Sequence, residues 1–200
     1  MKPHALWLAL VVAVSSPLAR ADIKSEVPAY AQDELAAGQV VVKSEDVPGA
    51  PWPRLILYQI VDAPPQVVID LLNDYDAAPS YTPNLISAKV LTTNPDGSKD
   101  IEYTVKVPIL QKISYTVHNT YKRKGNSYSV DWNLIRSPLA KTSTGSIRIE
   151  PYGKDKTLLS YTNFVVPITN LVAGLKGDAL KSAKETVSAI KAEAERRGGS

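Results

Sequence analysis

The 200-residue chain has no cysteine, one phenylalanine, one methionine and two histidines. Without thiols it forms neither a disulfide nor a Cys-based metal cluster, so its stability must come from an ordinary hydrophobic core. His4 lies in the leader described below, which leaves His118 alone on the polar phase of its strand. That position reads as surface, and a serine triad would have to be built around this one imidazole. No metal site and no cofactor are expected. No glycine-rich phosphate loop follows a strand, because Gly174-Leu175-Lys176-Gly177 sits in a helical stretch and lacks the required spacing. An excess of one charge is also missing. Once Lys2 and Arg20 leave with the leader, the 23 basic side chains become 21 against 20 acidic ones, which argues against a protein that holds nucleic acid by neutralising phosphates. Beyond the leader no apolar run approaches the ~18 residues of a membrane-spanning helix.

The leader is residues 1–21. Lys2 and His4 form a short polar start, Ala5 to Val14 is apolar but too short to span a bilayer, and Ala19-Arg20-Ala21 is a small-residue cleavage site. Cleavage after Ala21 and export to the periplasm or outside the cell are expected. The remainder suffices for one domain. Residues 22–38 form a polar lead-in with one short helix over Tyr30–Ala37.

From Val40 the pattern turns to β-branched residues, and a proline-rich connection, Val47 to Pro53, separates two strands, the second over Leu55–Val61. Asp62-Ala63-Pro64-Pro65 opens a helix through Leu72, and Asp74 to Pro83 fits a broken second helix. Six stretches of strand and turn follow. Ile101, Tyr103, Val105 and Val107 alternate with polar neighbours, as do Ile113, Tyr115, Val117, Asn119 and Tyr121, then Tyr128, Val130, Trp132 and Leu134. Thr142–Pro151 and Thr157–Val166 complete the run. Such a sheet has one apolar face to cover.

Thr169 to Arg197 supplies the cover. Val172, Leu175, Ala179, Ala183, Val187, Ile190 and Ala194 fall three or four apart along one long helix with N-caps at Thr169 and Asn170 and a stop at Gly198. Alanines at 179 and 183 stand where a filled core would use larger residues. They permit either close packing on the sheet or space beneath the helix. The aromatic inventory favours space. There are ten tyrosines against one phenylalanine, and Tyr103, Tyr115, Tyr121, Tyr128 and Tyr161 share the apolar phase of the central strands. A sealed core would sooner use Phe, since each buried phenol needs a partner. With Asn119, Asn163 and Trp132 in the same phase, the inner face reads as apolar walls with a few placed polar groups. The candidate ligand-binding residues are therefore these, together with Leu175, Ala179 and Ala183 on the helix. No catalytic residue is assigned.

Local motifs sharpen this outline. Ile60-Val61-Asp62-Ala63-Pro64-Pro65-Gln66-Val67, Leu71-Leu72-Asn73-Asp74-Tyr75, Tyr81-Thr82-Pro83-Asn84-Leu85, Gly145 to Pro151 and Thr157 to Tyr161 together resemble the START-like (SRPBCC) superfamily, in its coenzyme-Q-binding and polyketide cyclase/dehydrase branch. The resemblance covers roughly residues 39–198 and implies an α+β helix-grip fold: a curved antiparallel sheet around a long C-terminal helix, with two short helices after the first core strand. It also implies a hydrophobic small molecule, whether lipid, isoprenoid or polyketide-like, held between sheet and helix; together with the leader, the expectation is a monomeric, exported bacterial carrier or sensor. The alternative is a cyclase, aromatase or dehydratase using a cavity tyrosine, Glu102 or Asp131 as acid or base; alternation puts both carboxylates outside, which favours binding. A third reading, an interaction module, requires a filled core. Lys122-Arg123-Lys124 leaves transient contact with anionic lipid open.

Overall fold

The computed structural model describes residues 22–107 and 111–199, apart from the side chains of residues 111, 171 and 172. The expected leader and the side chain of Val172 lie outside the described residues. Eight strands form one antiparallel sheet: β1 Val41–Glu45, β2 Arg54–Val61, β3 Leu85–Thr93, β4 Lys99–Val107, β5 Gln111–Lys124, β6 Ser127–Arg136, β7 Ala140–Pro151 and β8 Thr157–Pro167. Their spatial order is β1-β2-β8-β7-β6-β5-β4-β3, so the run from β3 to β8 is a meander, and β2 closes against the last strand of that meander. The curved sheet, the helices α3 (Pro65–Asn73) and α4 (Ala78–Tyr81) after β2, and a long final helix make the α+β helix-grip fold. Pro65 opens α3, where a missing N–H costs nothing.

The terminal helix is broken, where the sequence period predicted one continuous rod. α5 spans Asn170–Ala173, the chain turns at Gly174 and Leu175, and α6 runs over Lys176–Gly198. The expected caps at Thr169 and Asn170 therefore belong to the short helix, and α6 starts at Leu175 without a side-chain cap. At the other end Gly198 is still helical and Gly199 takes the cap.

On the concave side, Ala183, Val187, Ile190 and Ala194 of α6 join Leu57, Val61, Ile149 and Leu159 of the sheet and Val68 and Leu71 of α3 in one core. Polar ties fix the same half of the helix: Glu195 accepts from Asp62 N (2.8 Å), Lys191 donates to Ile60 O (3.0 Å), and Arg197 pairs with Asp74 (3.0 Å).

The convex face is also covered, by the segment whose composition predicted only a lead-in. Ile23, Val27, Ala31 and Leu35 recur every fourth residue through α1 (Ile23–Glu26), a 3₁₀ turn (Ala29–Ala31) and α2 (Gln32–Ala36), and pack on Val41, Tyr58, Ile60 and Leu158. This stripe is carried partly by alanine, and Pro28 interrupts it, which is why hydropathy does not announce it. Arg148 secures the segment through Nη1, which donates to both Glu26 carboxylate oxygens (2.6 and 2.7 Å), and through Nη2 to Glu150 (3.3 Å).

Candidate ligand-binding site

Along β6, β7 and β8 the inner face passes from sealed to open in the same direction. Along β8, Leu159 has no exposure, whereas Tyr161, Asn163 and Val165 are half-buried; along β6, Tyr128 and Val130 are buried, whereas Trp132 and Leu134 are half-buried. β7 runs from Ile149 to the more accessible Ile147 and Gly145, and β5 from the buried Asn119 and Val117 to Tyr115 and Ile113. These open ends coincide, because β4, β6 and β8 finish where β5 and β7 begin. The sealed end lies under the tied half of α6. At the open end α5 and the start of α6 cover the inner face incompletely, Leu175 and Ala179 being only half-buried, and this incompletely covered end is termed the hollow.

Aromatic pairs make its walls. Tyr103 and Tyr115, opposite each other on β4 and β5, lie with ring centroids 5.6 Å apart, and Trp132 and Tyr161 lie at the same separation. Trp132 is able to lie flat because its cross-strand neighbour is Gly145, where a Cβ would sit 2.2 Å from the indole. Burial pushes the Tyr115 phenol up to about 12 and raises Tyr103 and Tyr161 further, with Tyr115 adding to both. These phenols stay neutral, so they can orient a ligand by donating hydrogen bonds but cannot act as bases near neutrality.

At the floor, Asn119 donates to the Tyr75 hydroxyl (3.5 Å), and the Tyr75 and Tyr121 hydroxyls share a short hydrogen bond. Lys99 lies over both rings. Tyr75 and Lys99 were missed by the sequence reading: Tyr75 comes from the α3–α4 connection, outside any strand period, and Lys99 precedes the alternating run of β4. The remaining candidates divide. Tyr128 is 6.4 Å from Tyr121 but sits in the sealed core, donating to Asn73 Oδ1 (2.9 Å), and Ala183 is sealed as well. Glu102 and Asp131 are on the outer face, where Arg136 holds Glu102 at 2.8 Å and Lys122 is 3.6 Å from Asp131. His118 is beside Asp100 at 2.7 Å on that face.

A groove of about 610 Å³ runs along the opposite flank of α6, past Gln39, Gln59, Lys184, Ser188 and Lys191. It is broad, open to solvent and has no aromatic wall, so the hollow is the better candidate for an apolar ligand.

Residues 61–185 match the family described as polyketide cyclase / dehydrase and lipid transport. The chain belongs to this family. The match begins at the last residue of β2 and ends within α6, so it takes in every wall of the hollow named above. Among solved structures, a STAR-related lipid transfer protein from Xanthomonas axonopodis is 15% identical over 78% of this chain and 93% of its own, with a TM-score of 0.66. The Zhui aromatase/cyclase from Streptomyces sp. R1128 is 18% identical over 72% and 94%, with a TM-score of 0.64. Human StAR-related lipid transfer protein 5 is 13% identical over 81% and 84%, with a TM-score of 0.66. At such identities the likeness is one of fold. None of the curated proteins matches the sequence significantly.

Proposed function

We propose that this member of the family is an exported, non-catalytic carrier or sensor that holds a lipid or other hydrophobic small molecule in the hollow between the sheet and the α5–α6 segment. The graded opening of the inner face along β6, β7 and β8 carries the reading: aromatic walls that a packed core would seal keep solvent access at one end. An apolar ligand filling that end would remove this surface from water. The family's lipid-transport members and the lipid-transfer neighbours support the same reading. A cyclase would need an acid or base within the walls: the two carboxylates weighed for that role, Glu102 and Asp131, face outward, and the wall phenols, held neutral by burial, supply no base. The 1–21 leader supports export, and no helix among the described residues is long and apolar enough to cross a membrane.

Mass spectrometry of the protein purified intact from its own cells tests this. The expected result is one class of hydrophobic molecule, recovered at near one per chain and chemically unchanged on incubation. Recovery of a converted product would favour the cyclase, and an empty protein that takes up no apolar probe would remove the binding reading.

A further inference from the structure

The floor of the hollow contains a buried polar group without a partner. Asn119 is 5% exposed on the inner face of β5, paired in register with Trp132 on one side and Lys99 on the other. Its Nδ2 donates to Tyr75, and its Oδ1 is buried with no hydrogen-bond partner among the described residues. Buried acceptors are nearly always satisfied, so an orphaned one calls for a partner. Either hydroxyl of the Tyr75–Tyr121 pair can donate to the other; when Tyr75 is the donor, the Tyr121 hydroxyl has its proton to give outward. The Lys99 ammonium lies 5.3 and 5.5 Å from the ring centroids of Tyr75 and Tyr121.

We infer that this cluster is a head-group site for a single hydroxyl on an otherwise apolar ligand, the hydroxyl donating to Asn119 Oδ1 and accepting from Tyr121. The inference rests on the binding reading above and adds the chemical class of the ligand: an apolar alcohol or phenol. A carbonyl or ether has no proton for Oδ1, and an ionised carboxylate would set its lone pairs against that oxygen. An alkylammonium would put a second positive charge beside Lys99. Trp132 and Tyr103, which border Asn119, are half-buried walls of the hollow, so a ligand descending along them delivers its head to the amide.

Calorimetric titration with farnesol, farnesal and farnesyl methyl ether, three compounds with one apolar body and different heads, separates the possibilities. Farnesol is expected to bind about tenfold or more tightly than the methyl ether. In Asn119→Leu and in Tyr121→Phe that ratio should fall towards one. Equal affinities for all three in the unaltered protein, a comparison that needs no variant, would overturn the head-group site while leaving the hollow as an apolar binding site. Farnesal binding as tightly as farnesol would overturn the donor and acceptor assignment, as would an alcohol preference that survives both substitutions. Binding of none of the three overturns the head-group site together with the reading it rests on.

Discussion

Replacing Trp52 with Phe should accelerate ligand exchange without unfolding the domain. Trp52 stands in the proline-rich connection between β1 and β2, and its indole N–H donates to Ala173 O, the last residue of α5, at 2.8 Å. That bond ties a side chain to α5, whereas the second half of α6 is held by Lys191, Glu195 and Arg197 and by the sealed side chains of Val187, Ile190 and Ala194. Phe keeps a six-membered aromatic ring and removes the N–H donor together with the rest of the five-membered ring. A partly buried hydrogen bond of this kind is worth about 0.5–1.5 kcal/mol, which corresponds to a rise of roughly two- to twelvefold in the open population of the 170–178 segment. Since a closed sheet gives no passage, that segment is the expected route into the hollow. Release of a bound pyrenyl alkane into excess lipid vesicles, followed by stopped-flow fluorescence, should quicken by this factor, and amide exchange should increase at residues 170–178 alone. If exchange increases there while release is unchanged, the segment opens without gating the hollow and the reasoning fails.

Gly177→Ala should act in the opposite direction: a Cβ there meets nothing within 4 Å, so close packing does not require the glycine, and a gain of up to ~1 kcal/mol in helix propensity should slow release and raise Tm slightly. Gly145→Ala should cost about 1–3 kcal/mol in denaturant unfolding and shift Trp132 fluorescence, since its methyl would lie 2.2 Å from the indole and 2.3 Å from Thr162 O. Arg148→Ala should cost about 2–3 kcal/mol, tempered by the solvent that still reaches Glu26 and Glu150, and should make residues 22–38 the first site of limited proteolysis. Arg196 and Arg197 pull the Glu193 carboxyl down from its ordinary 4.5 to about 2. A depressed carboxylate contributes stability above its unfolded pKa and loses it as pH falls through the folded value. Protection of the α6 C-terminus in amide exchange should therefore hold above pH 4.5 and decline between there and pH 2.

Alternation was enough to place the walls. Tyr103, Tyr115, Trp132 and Tyr161 share a face because period two leaves no other arrangement once the meander is accepted, and Glu102 and Asp131 fall outside for the same reason. The division of that face into a sealed and an open half was not legible, because it depends on where α6 breaks from α5 and which half of it is tied down. Gly174 and Gly177 lower helix propensity at that end, but Trp52, which fastens it from more than a hundred residues away, follows no local pattern. Ala183 and Ala179 look equivalent in the sequence, one turn apart, yet the first is sealed and the second is half-buried. The convex-face stripe of Ile23, Val27, Ala31 and Leu35 was spaced for a helix but too short in each piece, and too rich in polar neighbours, to stand out.

The most direct test of an apolar site at the open end is nuclear magnetic resonance of the leaderless protein as farnesyl methyl ether is added. The account predicts shifts at the Trp132 indole, the Tyr161 and Tyr103 rings and the Leu134 methyls, with Ile149 and Leu159 in the sealed half unmoved. An unmoved Trp132 accompanied by shifts at Gln59 and Ser188 would place the ligand in the groove on the other flank of α6 and contradict the account.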